Sequence, residues 1–245
     1  MCGIAGFLKT SDYSPHPIEV EQLLINLRDR GTDATGVAWW NGEKINVLKS
    51  PVMADDFIET PTFKKLVGEI ASSKWFLLHT RAATNGSPEN KLNNHPIYNQ
   101  HGLIIHNGVV HADSPLPAQG ETDTEQVLLH LQRYGWKGIN YISGFLSIAY
   151  VNHKFPERFY LYSHGAPLVY SKGPNGIFFC STGIILRESI YTSELQVTDL
   201  PKDVICRVKG NNVVPIHQVF PKVRYIPFSN HYGVTANQGA LWHYL

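Results

Sequence analysis

The sequence predicts an α+β fold, because amphipathic helical patterns occur in the same chain as many short strand patterns. Residues 20–27 place apolar side chains at the i, i+3, i+4 and i+7 positions of one helix face. Asn41-Gly42, between two apolar runs, is typical of a β-hairpin turn. From Gly144 onward the pattern changes to short β-rich segments separated by turns.

The predicted elements can be placed in order along the chain. The first half contains an opening strand within residues 2–8, a helix over 20–27 that ends at Gly31, a polar loop over 29–36, a hairpin of strands 37–40 and 45–47, a helix that begins at Thr60-Pro61, a buried strand over 75–78, a short strand over 103–105 and a helix that begins within 121–125. The second half contains strands over 145–151, 158–162, 167–170, 177–180, 204–208 and 213–214, with a turn at 173–176 and a short helix at 184–186.

Composition argues against several functional classes. The 245 residues include 21 Lys and Arg against 20 Asp and Glu, so charge gives no argument for nucleic acid or an anionic membrane surface as a partner. The 3 cysteines and 12 histidines lack regular spacing, so the sequence predicts no disulfide framework, no metal site and no cofactor. No targeting or membrane-spanning segment is evident, which predicts a cytoplasmic protein.

A cysteine stands directly behind the initiator methionine. A small residue at this position predicts removal of Met1, which would give Cys2 a nucleophilic thiol together with a free α-amine that can act as its base. Gly3 would let a ligand approach the sulfur closely. The alternative interpretation is that Cys2 is a small apolar residue at the start of a strand.

Three polar clusters stand at predicted element ends, where sites are commonly built. Residues 79–86 follow the buried strand, residues 106–108 end a short strand, and residues 121–125 precede a helix. Arg81 next to a buried strand predicts a bound anion. The alternative interpretations from local sequence are that Arg81 forms a structural ion pair, that Asn107-Gly108 forms an ordinary turn, and that Asp123 interacts favourably with the helix dipole.

The ordered set of motifs resembles the class II glutamine amidotransferases, N-terminal nucleophile hydrolases whose glutaminase domain begins at a cysteine. The motifs are Cys2-Gly3-Ile4-Ala5-Gly6, Arg30-Gly31-Thr32-Asp33-Ala34-Thr35-Gly36, His79-Thr80-Arg81-Ala82-Ala83-Thr84, His95-Pro96, His106-Asn107-Gly108 and Glu121-Thr122-Asp123-Thr124-Glu125. This set of motifs is most similar to that of the glutaminase domain of the glucosamine-6-phosphate synthases. It departs from that pattern at Ala82 and Asn85, where the family has tryptophan and histidine.

The resemblance implies the catalytic residues. Cys2 would be the nucleophile, with its own α-amine as the base, and Arg30 would position it. The side-chain amide of Asn107 and the backbone N–H of Gly108 would form the oxyanion hole. His95 and His106 are interpreted as structural or supporting residues.

The resemblance also implies how free glutamine is recognised. Arg81, assisted by Thr84, would bind the α-carboxylate, and Asp123 would bind the α-ammonium group. The implied reaction is hydrolysis of L-glutamine to glutamate and ammonia through a Cys2 thioester. The alternatives are an amidase for another amide substrate and a non-catalytic module of the same fold that senses glutamine.

The resemblance implies a four-layer αββα sandwich and an arrangement of the chain. Residues 1–215 would form the glutaminase domain, and residues 216–245 would form an aromatic tail that packs on the domain or on a partner. No acceptor chemistry is recognised in the sequence. The chain is therefore expected to act as a stand-alone glutaminase component that supplies ammonia to a separate synthetase or transferase chain.

Overall fold

The computed structural model describes residues 1–173, 176–192 and 195–221. Its helices are α1 (Pro17–Leu27), α2 (Ala54–Glu59), α3 (Pro61–Ser72), α4 (Asp123–Tyr134) and α5 (Gly183–Ser189). Its strands are β1 (Gly3–Lys9), β2 (Ala34–Trp40), β3 (Ile45–Ser50), β4 (Trp75–Arg81), β5 (Ile97–Tyr98), β6 (Gly102–Ala112), β7 (Ile142–Asn152), β8 (Phe155–His164), β9 (Val169–Gly173), β10 (Gly176–Cys180), β11 (Val197–Asp199), β12 (Val204–Lys209) and β13 (Asn212–Gln218).

These strands form two antiparallel sheets that pack face to face. In the described residues the first sheet has the order β11-β9-β10-β1-β4-β2-β3, and the second has the order β13-β12-β8-β7-β6-β5. Helices α1, α2, α3 and α5 share an apolar core with the outer face of the first sheet. Helix α4 covers the second sheet through a separate core. The predicted α+β class and αββα sandwich are therefore confirmed.

The two-residue period of the strands explains the layers. In β1, Ala5 and Phe7 belong to the core under the helices, whereas Ile4 and Leu8 belong to the core between the sheets. Alternate side chains of a strand point to opposite faces. Cys2, two residues before Ile4, is thus placed on the side of β1 that faces the second sheet.

Local sequence signals explain the two long helices of the first layer. His16 caps α1, and Pro17 occupies its first turn. The Thr60 side chain accepts a hydrogen bond from the Phe63 N–H at 3.2 Å, which caps α3 as the sequence predicts. The short helix α2 was not predicted.

Two predicted element ends are wrong. Strand β4 continues through Arg81, and residues 106–108 lie in the middle of β6 rather than at the end of a strand. The physical reason is pairing: β6 is paired with β7 along its whole length, including Asn107 with Ser147 and Gly108 with Leu146. The predicted polar loop over 29–36 is also shorter, because Arg28–Arg30 form a 3-10 turn and β2 begins at Ala34.

The C-terminal division of the chain stays a prediction. Strand β13 pairs with β12 and extends past the predicted boundary at residue 215 to Gln218. Most of the predicted tail, residues 222–245, and the centre of the predicted turn at 174–175 lie outside the described residues. In the part of the chain that is described, no helix is long and apolar enough to cross a membrane.

Candidate active site

A small cavity at the start of β1 collects most of the predicted site residues. It is lined by Cys2, Arg81, Ala82, Thr84, Asn85, His95, His106, Gly108, Thr122, Asp123 and Thr124. Its volume is about 20 Å³, which is room for about one water molecule. Five of the seven predicted residues thus meet at one place. Arg30 and Asn107 are not among the lining residues and are described below.

The thiol of Cys2 lies against the end of β4. Its Sγ–H donates to the backbone carbonyl of Ala82 at 3.6 Å. Burial raises the pKa of the Cys2 thiol, although the positive charge of Arg81 opposes this change. The thiol is therefore protonated near neutral pH, and a nearby base is needed before it can attack a carbon atom.

Arg30 is held beside Cys2 by the turn that follows α1. Its Nε–H donates to the backbone carbonyl of Cys2 at 3.0 Å. Gly31 lets this loop pass close to the end of β4, because a Cβ at position 31 would lie 2.3 Å from the carbonyl carbon of Arg81. The same loop also binds the end of β4, since the Asp33 side chain accepts a hydrogen bond from the Ala83 N–H at 2.7 Å.

Arg81 is a buried cation whose hydrogen bonds go to neutral groups. Its Nη1 donates to Asn94 Oδ1 at 2.9 Å, and its Nη2 donates to the backbone carbonyls of Asn85 and Gly86, the latter at 2.9 Å. Its side chain is 3 % exposed. Within the described ranges no carboxylate forms an ion pair with it. Because an unpaired buried charge is costly, an anionic ligand fits beside Arg81.

Thr84 differs from Arg81 in being exposed. It stands at the edge of the cavity, in the segment that leads from β4 into the loop bound by Arg81. Its hydroxyl is therefore accessible from solvent, and it lies three residues after Arg81, the last residue of β4.

Asn107 and Gly108 occupy β6 on the opposite side of the cavity from β4. Asn107 is fully buried, yet neither of its amide atoms has a hydrogen-bond partner in the described part of the chain. Buried polar atoms without partners are rare in proteins and call for an explanation. Gly108 has φ +150°, and a Cβ there would lie 2.1 Å from the Phe145 carbonyl oxygen. This backbone position admits only glycine.

Asp123 is the first residue of α4. One carboxylate oxygen accepts a hydrogen bond from the Val110 N–H at 2.9 Å, and the other lies 4.0 Å from His106 Nδ1. The helix dipole stabilises an ionised side chain at this position. The cavity therefore has a buried cation, Arg81, and a carboxylate, Asp123, in its lining.

A network of three buried histidines supports this lining. Thr124 Oγ lies 2.9 Å from both His95 Nε2 and His106 Nδ1. The rings of His79 and His95 are stacked with centroids 3.9 Å apart, and the His79 Nε2–H donates to the His106 carbonyl at 3.0 Å. Burial lowers the pKa of His79 to about 3 and lowers the pKa values of His95 and His106 as well. All three rings are neutral at neutral pH.

Several supporting residues were not predicted from the sequence. Asn94 and Asp33 bind Arg81 and the end of β4, and Thr124 connects two histidines. Asp33 and Thr124 lie inside recognised motifs, which could have drawn attention to them. Asn94 has no local signal, because its partner is 13 residues away in the chain. Among the residues that the structure describes, no group of three or more His, Cys, Asp or Glu side chains is arranged to hold a metal ion.

Comparison with known proteins identifies similar sequences, although no protein-family model matches the chain. A glutamine–fructose-6-phosphate aminotransferase (isomerizing) of Francisella tularensis is 30 % identical, in a match that spans 86 % of this chain and 37 % of that protein. The proteins of the same name from Pseudomonas aeruginosa and Helicobacter pylori are 27 % and 25 % identical, with 87 % and 78 % of this chain covered. The chain spans about a third of the length of these curated relatives, between 34 % and 38 %.

Solved structures show the same fold. A glutamine phosphoribosylpyrophosphate amidotransferase from B. subtilis matches 91 % of this chain and 50 % of its own, with a TM-score of 0.68 and 13 % identity. A glutamine aminotransferase class-II domain protein from Silicibacter pomeroyi matches 90 % of this chain and 100 % of its own, with a TM-score of 0.58 and 17 % identity. The resemblance predicted from the motifs is thus confirmed: the chain is similar in sequence to class II glutamine amidotransferases and has the N-terminal nucleophile hydrolase fold.

Proposed function

We propose that this protein, once Met1 is removed, hydrolyses L-glutamine to glutamate and ammonia through a thioester on Cys2. The observation that carries the proposal is the lining of one cavity by a thiol, a buried cation without a carboxylate partner and a carboxylate: Cys2, Arg81 and Asp123. A free amino acid carries an α-carboxylate and an α-ammonium group, which complement Arg81 and Asp123. An amide substrate without these charges would leave Arg81 buried and unpaired, which argues against an amidase of other specificity.

The proposed reaction begins with proton transfer from the Cys2 thiol to its own α-amine. A base is needed because burial raises the pKa of this thiol. His95 and His106, which also line the cavity, are engaged with Thr124, and burial lowers their pKa values. The α-amine has an ordinary pKa of about 8, and removal of Met1 would free it on the nucleophilic residue itself.

The sulfur then forms a bond to the side-chain amide carbon of glutamine. The Asn107 amide N–H and the Gly108 N–H would donate to the oxyanion, which the unpartnered Asn107 side chain supports. Collapse breaks the carbon–nitrogen bond, and the ammonium group of Cys2 returns its proton to the departing ammonia. Water, deprotonated by the same amine, hydrolyses the thioester to release glutamate and regenerate the thiol.

The small volume of the cavity requires a movement before glutamine can bind. A space of about 20 Å³ is far too small for an amino acid. The segment from Ala82 to Asn93 covers the site and is tied to Arg81 through the backbone carbonyls of Asn85 and Gly86. This segment would open to admit glutamine, and the α-carboxylate would take over part of the Arg81 hydrogen bonding.

The ammonia would be passed to a separate synthetase or transferase chain. The relatives, named for transfer between glutamine and fructose-6-phosphate, are about three times as long as the matched region. The predicted tail, residues 216–245, would contact that chain. Removal of the tail should then weaken binding of the partner while glutamine hydrolysis by the isolated protein stays the same. Unchanged partner binding would reject this role of the tail.

The test of the glutaminase proposal is ammonia and glutamate release from L-glutamine by protein with a verified Cys2 terminus and by the Cys2→Ala variant. The wild-type protein should release both products in equal amounts, and the variant should release neither. Equal rates for the two proteins would contradict the mechanism. Binding of glutamine without product release would instead support a sensor of the same fold.

A further inference from the structure

Lys49 is a cation placed between the two sheets close to the candidate site. It belongs to β3, in which Ile45 and Val47 pack against the core between the sheets. The two-residue period of a strand therefore turns Lys49 toward the same interior. Its charge is close enough to disfavour protonation of His79 and His95. Lys49 is thus part of the electrostatic surroundings of the site although it does not line the cavity.

The partners of Lys49 are neutral. Its Nζ donates to the backbone carbonyls of Asn94 at 2.7 Å and Pro96 at 3.2 Å, and it lies 5.1 Å from the centre of the Tyr98 ring. In the described residues no carboxylate is paired with it. Burial lowers the pKa of Lys49 to about 8. Holding a cation here without a counter-ion is unfavourable for stability. A functional role of its two hydrogen bonds to backbone carbonyls would explain why Lys49 is nevertheless placed here.

The segment bound by Lys49 is seated directly on the first sheet. Lys49 pairs with Gly36 across β3 and β2. A Cβ at position 36 would lie 1.9 Å from the carbonyl oxygen of His95. The backbone of residues 94–96 therefore rests on Gly36, and the Lys49 side chain holds it there from both sides of His95.

Residues 94–96 in turn hold two parts of the cavity. The Asn94 Oδ1 accepts a hydrogen bond from Arg81, and the Asn94 Nδ2 donates to the Pro88 carbonyl at 2.6 Å. The His95 ring contacts Thr124 and stacks on His79. A shift of this segment would move Arg81, whereas Cys2 and Gly108 are supported by β1 and β6.

We propose that Lys49 is a positioning residue for glutamine binding, which fixes residues 94–96 and through Asn94 orients Arg81 toward the substrate carboxylate. The inference rests on the proposed glutaminase function. It assigns Lys49 to substrate affinity rather than to the chemical step, because Asn94, which Lys49 binds, is hydrogen-bonded to Arg81, whereas Cys2 and Gly108 are supported by β1 and β6.

The test is the separation of KM from kcat in Lys49→Met. This variant keeps the apolar stem but removes both hydrogen bonds to the carbonyls. The KM for glutamine should rise about 10-fold or more, as is typical when a charged hydrogen-bond donor is lost, while kcat stays within about 3-fold of wild type. Lys49→Arg should restore KM, because a cavity of about 420 Å³ beside Lys49 leaves room for the longer donor. Lys44→Met, an exposed lysine of the same hairpin, is the matched control and should behave as wild type.

The outcomes are distinguishable from failure of the proposed function. If wild-type protein with a free Cys2 releases no ammonia, the glutaminase proposal fails. If the wild type is active and Lys49→Met has an unchanged KM, whether or not its kcat falls, the role of Lys49 is contradicted. Where Lys49→Met does not fold, Lys49→Gln is measured instead, since its amide keeps one donor group; a wild-type KM together with a lowered kcat in that variant would equally overturn the proposal.

Discussion

Two fully buried asparagines show how differently the two sides of the site are built. Asn94 belongs to the loop side, formed by Arg81 and residues 82–94, and both of its amide atoms are hydrogen-bonded. Asn107 belongs to the strand side, formed by residues 106–108 of β6, and neither of its amide atoms has a partner among the described residues. Asn94 therefore uses its amide group to hold the loop in place, whereas the amide group of Asn107 is left without hydrogen bonds among the described residues.

This difference separates binding from catalysis in the proposed mechanism. A bonded asparagine stabilises the fold and fixes Arg81, so its loss should affect stability and substrate affinity. An unbonded buried asparagine contributes little to stability, because its polar atoms were desolvated without compensation. Its amide N–H is free to donate to a charge that forms during the reaction. Substitutions on the loop side should therefore lower stability and raise KM, whereas substitutions on the strand side should lower kcat and leave stability nearly unchanged.

The largest effect is expected for Asn107→Ala. Loss of the side-chain donor to the oxyanion should lower kcat by about 100-fold or more. The thermal midpoint should stay close to that of wild type, since no hydrogen bond within the described residues is lost. Steady-state kinetics and differential scanning fluorimetry check the two parts. A large fall in the midpoint together with a normal kcat would place Asn107 among the structural residues.

The reverse pattern is expected for Asn94→Ala. This change leaves Arg81 Nη1 without its acceptor and the Pro88 carbonyl without its donor. Loss of such buried partners typically costs about 1–3 kcal/mol, so the thermal midpoint should fall by about 2–12 °C. KM should rise more than kcat falls. An unchanged midpoint and KM would show that the loop side does not depend on this residue.

The next effect, on stability, is expected for Thr124→Val, which tests the link between the two sides. The substitution keeps the shape of the side chain but removes the hydroxyl shared by His95 and His106. The free energy of unfolding should fall by about 1–3 kcal/mol, because two buried ring nitrogens lose their partner. Thr124→Ser is the matched control and should keep most of the stability. Denaturant unfolding that is equally weakened in both variants would contradict the assigned role of the hydroxyl.

The smallest effect at neutral pH is expected for His79→Gln, which tests the neutral histidines. The pKa of His79 is lowered to about 3, from an ordinary value near 6.5. Between these pH values the unfolded chain binds a proton that the folded protein does not bind, so stability falls as pH decreases from 6.5 towards 3 and is constant above 6.5. By pH 5 the loss from this one residue is about 2 kcal/mol.

The measurement is the thermal midpoint of wild type and His79→Gln between pH 7 and pH 5. The midpoint of the variant should decline less steeply with acid than that of wild type. His101→Gln, which replaces an exposed histidine, serves as the control and should keep the wild-type slope. An identical slope in all three proteins would show that His79 is protonated as easily in the folded state as in the unfolded chain.

Local sequence signals predicted individual helices and strands, and the resemblance implied the layers and the candidate site residues, but neither predicted the contacts that hold the site. Helix α3 was predictable from its Thr60 cap and Pro61, and β4 from its apolar run. Strand β6 was predicted too short because polar residues interrupt the apolar pattern at His106, while its pairing with β7 continues.

The contacts of Lys49 and Asn94 illustrate what the sequence could not supply. Lys49 reaches the carbonyls of residues 45 and 47 positions further along the chain. Neither residue stands in a motif, and each forms its bonds only after the two sheets and the loop have assembled. Long-range hydrogen bonds of this kind leave no periodic or local pattern in a single sequence.

The role of Cys2 is tested by comparing two forms of the wild-type protein, one with Met1 retained and one with a free Cys2 amine, each verified by intact mass. Both are treated with the glutamine-analogue electrophile 6-diazo-5-oxonorleucine and assayed for ammonia release from glutamine. Stoichiometric labelling at Cys2 and ammonia release are expected for the processed form only, because the amine of the unprocessed form is held in a peptide bond. Equal labelling and equal release by the two forms would contradict the claim that Cys2 supplies both the nucleophile and its base.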